Sequence, residues 1–260
     1  SEGSRLMIAQ PSDCGFQAPD PQNSQRIGDF CNSYALLIGV TEYGNQRACL
    51  KTPAHDVEDI GYLLRKRHGY HTKLLTHEVT KDAAQQAFTT SLREIVHEDD
   101  RLLVYFAGHG VAKDDVKRPN GYLLFTPDGE PSLESAQLLM SQVHEWLQAL
   151  PCRHLLLILD CCFAGAFRWS TTRAYRFGHE VLYRERYHRY LRSSAWQAIT
   201  SAAYNQYALD VLAGDVLGVR SDFEAATAMQ RSHSPFAQRL IHALEGAADI
   251  NQDKVITATE

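Results

Sequence analysis

The sequence predicts an α/β protein built on a mostly parallel sheet with helices on both faces. Three observations predict it. Residues 34–40, 101–107 and 154–160 are near-continuous apolar runs of strand length, the mark of strands buried on both sides. Segments with helical periodicity stand between them, the alternation that makes parallel sheets. The 260 residues are 44% hydrophobic and 22% charged, an ordinary globular balance in a chain long enough to bury a sizeable core.

Each element follows in order. Residues 1–32 carry Pro11, Gly15, Pro19, Pro21, Asn23 and Ser24, which break any period, so they read as an irregular N-terminal arm or linker. A domain over 33–247 begins with the strand at 34–40. In 53–67, Val57, Ile60 and Leu64 fall at helical spacing, and Pro53 suits a first turn. Residues 72–79 form the next strand. Thr80 then caps a helix whose Phe88, Leu92, Ile95 and Val96 share one face. The strand at 101–107 precedes a short one at 121–125. Leu139, Val143, Trp146 and Leu147 mark a helix that stops before Pro151. Residues 154–160 are the most apolar strand, 197–202 a further one, and Phe236, Leu240, Ile241 and Leu244 a last helix ending near Gly246.

Several classes are excluded at this level. Net charge is −5, so there is no overall basic footprint for nucleic acid. No apolar run approaches the ~20 residues of a membrane span. Six cysteines are too sparse for a disulfide scaffold, and none are paired at Cys-x-x-Cys zinc spacing. The apolar stretch at 6–9 is too short for a secretory signal. A reducing cytoplasm with free thiols is the expected setting. The start at Ser1 rather than Met reads as that of a processed or excised piece.

In open parallel sheets the chemistry lies just past the carboxyl ends of the strands. After 101–107 comes Gly108-His109-Gly110, an imidazole between two glycines. After 154–160 come Cys161 and Cys162, then Phe163-Ala164-Gly165. If the two strands are neighbours, imidazole and thiol converge, which is the minimum equipment for thiol-based acyl transfer.

Five blocks now occur in order: Tyr34-Ala-Leu-Leu-Ile-Gly-Val40, Ala54-His55-Asp56-Val57, Tyr105-Phe106-Ala107-Gly108-His109-Gly110, Asp160-Cys161-Cys162-Phe163-Ala164-Gly165 and Thr200-Ser201-Ala202. Together they resemble the caspase-like cysteine peptidases, in particular the metacaspase and bacterial caspase-homologue branch. The resemblance covers roughly 33–247. It implies the three-layer caspase–hemoglobinase fold, with a mostly parallel six-stranded sheet. It implies Cys162 as nucleophile, with Cys161 as its rival where the family carries Ser or Ala, and His109 as general base and acid. It implies backbone N–H groups of Gly110 and Cys162 for the oxyanion. Asp160 and Asp56 would line the primary pocket and favour Arg or Lys, and Ser201 would lie on the substrate-binding strand. No metal or organic cofactor is needed for this chemistry.

Two segments stand apart. Residues 168–192 hold seven arginines against two glutamates, with tyrosines interleaved. This Arg-rich insert (168–195) follows the nucleophile where caspase-like enzymes carry an activation loop. It reads as a solvated or partner-docking insert, a self-cleavage site or, less readily, a nucleic-acid contact. In 248–260, Asp249, Asn251, Asp253, Thr257 and Glu260 occupy EF-hand positions, but Lys254 replaces the turn glycine. Calcium is a candidate ligand there, against a plain polar turn.

The expected function is a cysteine endopeptidase cutting proteins after basic residues, Arg before Lys, through a Cys–His dyad and an acyl-enzyme. The resemblance adds gating by a regulatory partner or by processing, in bacterial cell death or defence. The alternatives are a non-catalytic caspase-fold interaction module and an Asp-specific caspase-type protease. The expected partners are a protein or peptide substrate and a regulatory protein, with no nucleic acid and no membrane.

Overall fold

A computed structural model of the chain describes residues 12, 14–21, 30–44, 48–113, 120–128, 135–162, 164, 167, 194–202, 232–252 and 256–258, and the architecture is that of these residues. A parallel sheet forms the centre. Its strands are β1 (Ser33–Gly39), β2 (His71–Leu75), β3 (Arg101–Ala107), β7 (His154–Asp160) and β8 (Ala195–Thr200), in the order β2-β1-β3-β7-β8. The three continuous apolar runs of the sequence are the three inner strands, because only an inner strand packs along both faces. Among the described residues the sheet has five strands rather than the six expected.

Alternate residues of each inner strand feed opposite layers, as the two-residue period of a strand requires. On one face, Leu37, Leu103, Tyr105 and Ile158 pack under α1 (Pro53–Arg67) through Val57, Ile60 and Leu64, and under α5 (Pro235–His242) through Phe236, Ala237 and Leu240. On the other, Leu36, Val104, Phe106 and Leu157 pack under α2 (Lys81–Gln86), α3 (Leu92–Ile95) and α4 (Met140–Gln148). A π-helical turn (Ala87–Ser91) joins α2 to α3, and Thr80 caps α2 by accepting a hydrogen bond from the Ala83 N–H at 3.1 Å. Removing one such core side chain, as in Leu157→Ala, costs about 2–5 kcal/mol.

The differences from expectation have local causes. β2 ends at Leu75 rather than at 79: Glu78 takes a positive φ of 43°, and the Val79 carbonyl turns away to accept from the Thr126 N–H at 2.9 Å. β8 is displaced two residues toward the N-terminus of the expected 197–202. The short strand near 121 is β5 (Asn120–Leu124), and it belongs to a separate antiparallel sheet with β4 (Gly110–Lys113) and β6 (Gln137–Leu139), in the order β4-β5-β6. β4 and β6 are too short to show a period, so the sequence did not announce them.

The described part of the N-terminal arm is docked rather than trailing. Cys14 and Phe16 are buried, and Gln17 exchanges backbone hydrogen bonds with Thr72 at 2.8 and 3.0 Å. This antiparallel bridge covers part of the open edge of β2. The Arg-rich stretch 168–192 lies outside the described residues, as do Asp253, Lys254 and Glu260 of the EF-hand-like segment. Among the described residues, no three His, Cys, Asp or Glu side chains converge as metal ligands would, and no helix is long and apolar enough to cross a membrane.

Candidate active site

The site grows from the pairing of β3 with β7. The strands are parallel and neighbours, with Ala107 opposite Asp160. The Gly-His-Gly and Cys-Cys segments therefore leave the sheet side by side at its carboxyl edge. The Gly108 N–H donates to the Asp160 carbonyl at 3.2 Å. At Gly110 the approach is closer still. A Cβ there would overlap the Cys162 carbonyl oxygen and lie 3.2 Å from Cys161 Sγ, so only glycine lets the two loops meet. Gly108 is similarly crowded, since a Cβ would stand 2.8 Å from the Tyr43 hydroxyl oxygen.

His109 is held from three directions. Its backbone N–H donates to the Tyr43 hydroxyl at 2.7 Å, and that hydroxyl donates to the Val40 carbonyl at 2.8 Å. Its carbonyl accepts from the Leu124 N–H at 3.0 Å, which ties it to β5. Its Nε2 lies 3.0 Å from the Ala48 carbonyl, and its ring packs against Tyr43 at 4.6 Å between centroids. A carbonyl only accepts, so Nε2 carries a proton, and a neutral ring then has its basic lone pair on Nδ1.

The two thiols differ in surroundings. Cys162 is half-buried, whereas Cys161 is 1% exposed. Burial, with the Asp160 charge next and Cys162 after it, pushes the Cys161 thiol well above its ordinary range and keeps it un-ionised.

The two carboxylates converge on one turn. Asp160 is 6% exposed, and its Oδ2 accepts from the Ser234 hydroxyl at 2.6 Å and the Tyr105 hydroxyl at 3.4 Å. Asp56 is 0% exposed; its Oδ1 lies 2.7 Å from His233 Nδ1, and both its oxygens face the Ser234 N–H at 3.3 and 3.4 Å. Ser234 also caps α5, accepting from the Ala237 N–H at 3.0 Å. Burial pushes Asp56 up to about 6 against the opposing pull of His233, the Ser234 N–H and the Thr52 hydroxyl. Burial, followed by the charges of Asp160 and Asp56, also raises Tyr105 well above its usual range. Ser201 sits at the end of β8 with its N–H on the Leu159 carbonyl at 3.0 Å. Its buried hydroxyl has no partner among the described residues.

The structure thus groups His109, Gly110, Cys161 and Cys162 in one place, and Asp56 and Asp160 around Ser234. Sequence reasoning missed Tyr43, Tyr105, His233 and Ser234. Ser234-Pro235 did carry a signal, an N-cap followed by Pro at the first helical position. His233 and Tyr43 carried none.

A His loop and a Cys loop at the carboxyl edge of adjacent parallel strands define an α/β protein of the cysteine-peptidase kind. The chain belongs to the caspase-domain family, whose model matches residues 32–257. Among solved structures, it is similar to protein GSU0716 from Geobacter sulfurreducens, with a TM-score of 0.53, 13% identity and 82% of each chain covered. The Drosophila initiator caspase Dronc is more remote, with a TM-score of 0.37, 11% identity, and 51% of this chain and 50% of that chain covered. No curated protein matches the sequence. The fold is caspase-like, and family membership implies cysteine-peptidase chemistry acting on proteins.

Proposed function

We propose that the chain is a cysteine endopeptidase of the metacaspase and bacterial branch, cutting proteins after basic residues with Arg preferred over Lys. The observation that carries this reading is the backbone contact between Gly110 and Cys162, which sets a histidine loop against a cysteine loop. Cys162 is the nucleophile. His109 Nδ1 takes the thiol proton, and the sulfur attacks the scissile carbonyl carbon. The carbonyl electron pair moves onto oxygen, where the N–H groups of Gly110 and Cys162 stabilise it. Collapse expels the amine, which receives the proton from His109. Water then hydrolyses the thioester, with His109 as base for the incoming oxygen. The raised Cys161 thiol supports Cys162 over its neighbour.

Asp160 and Asp56 supply the negative charge that a guanidinium or ammonium seeks, and Ser201 lines the edge along which an extended peptide adds. Activity is gated by a regulatory protein or by cleavage within 168–192, in a cytoplasmic cell-death or defence pathway of a bacterium. The chemistry needs no cofactor, and calcium at 249–260 is a separate question that the assay addresses.

The test is hydrolysis of peptides with Arg, Lys or Asp before the scissile bond, with and without calcium, by the parent, Cys162→Ala and Cys161→Ala. The expected result is cleavage after Arg over Lys, lost by at least about 10³-fold in Cys162→Ala. Activity retained in Cys162→Ala but lost in Cys161→Ala overturns the nucleophile. Preference for Asp overturns the acidic pocket. No turnover by the parent under any condition favours the non-catalytic module.

A further inference from the structure

His233 bridges two carboxylates. Its Nδ1 lies 2.7 Å from Asp56 Oδ1 and its Nε2 3.2 Å from Asp59 Oδ2. This geometry is satisfied when Nε2–H donates to Asp59 and one proton is shared between Nδ1 and the Asp56 carboxyl group. The imidazole thus holds this shared proton beside a carboxylate that is 0% exposed. Ser234 connects this pair to the second carboxylate: its N–H faces Asp56 and its hydroxyl donates to Asp160. A single residue therefore separates the His233–Asp56 pair from Asp160.

We infer that His233 sets the charge of the acidic pocket, so that its bridging proton and the substrate's basic side chain compete for the same negative charge. This deepens the reading of Asp160 and Asp56 as the pocket for Arg and Lys, and it rests on that reading. With one proton held between them, Asp56 and His233 are together neutral, and the pocket offers Asp160. When that proton leaves, the pocket gains a second negative charge in a place shielded from water. His233 acts through Asp56 and is a positioning residue, not a catalytic one. Among the described residues, the groups facing it are Asp56 and Asp59 from α1, Asp160 from β7 by way of Ser234, and, beyond Asp160, the Tyr105 hydroxyl from β3. Tyr105 stays un-ionised. On α5 itself, Arg239 and His242 lie in the last turn, at the far end from His233.

The test uses the full chain with Cys162→Ala, so that binding is read without turnover. The probe is a short peptide carrying Arg before the scissile bond, titrated calorimetrically from pH 5.5 to 9 in buffers of different ionisation enthalpy. Binding is expected to release protons and to tighten by about tenfold as pH rises, the factor given by one carboxylate at roughly 10 Å and an effective dielectric of about 20. His233→Gln on the same background is expected to move the proton release and the pH step to higher pH, because the buried Asp56 then loses the imidazole that pulls it down. Asp59 is 36% exposed in its side chain, so Asp59→Asn tests the bridge without emptying the buried site. It removes the second negative charge from the bridge, and is expected to move the step to lower pH. A thermal melt of each variant establishes that it is folded. Binding that is flat with pH and releases no protons overturns the inference alone, as does an unmoved step in Asp59→Asn. No binding of the Arg peptide at any pH overturns both the inference and the basic-residue reading.

Discussion

The two ends of the parallel sheet each bury carboxylates, and they use them differently. At the amino edge, Asp100 is fully buried, accepting at Oδ1 from the Asn32 N–H and side-chain amide at 2.8 and 3.0 Å, and at Oδ2 from the His97 N–H at 2.8 Å. These partners come from the segments leading into β1 and β3, and two of the three bonds are to backbone. At the carboxyl edge, Asp56 and Asp160 are partnered by His233 and Ser234, far along the chain, mostly through side chains that can titrate or rotate. A carboxylate tied down by backbone N–H groups is a structural clamp. One tied to an imidazole and a hydroxyl can change charge and partner, which is what a site needs.

The sharpest way to break the contrast is Gly110→Ala. The added methyl overlaps the Cys162 carbonyl oxygen, which is backbone and cannot step aside. The two loops must separate, and displacement of about 1 Å between reacting groups costs roughly 10²-fold or more. kcat/KM is expected to fall by at least that factor while the sheet, read by circular dichroism, persists. Unchanged kcat/KM would show that the close approach does not serve the chemistry.

Next comes a matched pair. Asp100→Ala orphans two backbone N–H groups and is expected to cost about 3 kcal/mol in urea unfolding, with kcat/KM of the folded enzyme unchanged. Asp160→Asn keeps an acceptor for Ser234 and is expected to cost less stability. It removes the charge proposed to meet a basic substrate, and kcat/KM for Arg peptides is expected to fall about 10²-fold. Equal stability losses with equal activity would erase the distinction between the two edges.

How far each edge was legible follows from the range of the forces involved. The inner strands were plain in sequence because burial on both faces forces a continuous apolar run, as in Leu155 to Leu159. The α1 limits at Pro53 and Arg67 and the Thr80 cap were legible because helix starts are written in adjacent residues. His109 and Cys162 stood out because they follow such runs directly. Tyr43 did not, since its bond to the His109 N–H spans 66 residues and leaves no local pattern. His233 did not for the same reason, its contact with Asp56 spanning 177 residues. β4 and β6 are held by pairing to β5 rather than by any period of their own.

A smaller effect sharpens the contrast through pH. Burial lifts Asp56 from 3.8 to about 6, so the folded chain holds this proton more tightly than the unfolded chain. The sign follows from linkage: the contribution is fully present below pH 3.8 and is lost as pH rises through about 6. The parent is therefore expected to lose stability relative to Asp56→Asn over that window, measured as the difference in Tm at each pH. A difference that stays flat, or that grows in the parent's favour, would contradict a carboxyl group strained by burial at this edge.

The smallest expected effect concerns the thiols. Cys152 sits near the amino edge and Cys161 at the carboxyl edge. Burial, with the Asp100 charge behind it, pushes Cys152 up to about 11, and burial likewise carries Cys161 well above its usual range. Both are packed, un-ionised sulfurs, whichever edge they occupy. Cys161→Ser places a hydroxyl in a dry site and is expected to cost about 1–2 kcal/mol of stability. Catalysis, if it belongs to Cys162, should change by less than about threefold, because the variant keeps nearly the same side-chain volume against Gly110. A stoichiometric thiol label such as iodoacetamide provides an independent reading at neutral pH. Labelling of Cys162 ahead of Cys161 follows from their exposures, whereas the reverse order would transfer the chemistry to the buried thiol and leave the carboxyl edge without the accessible nucleophile assigned to it.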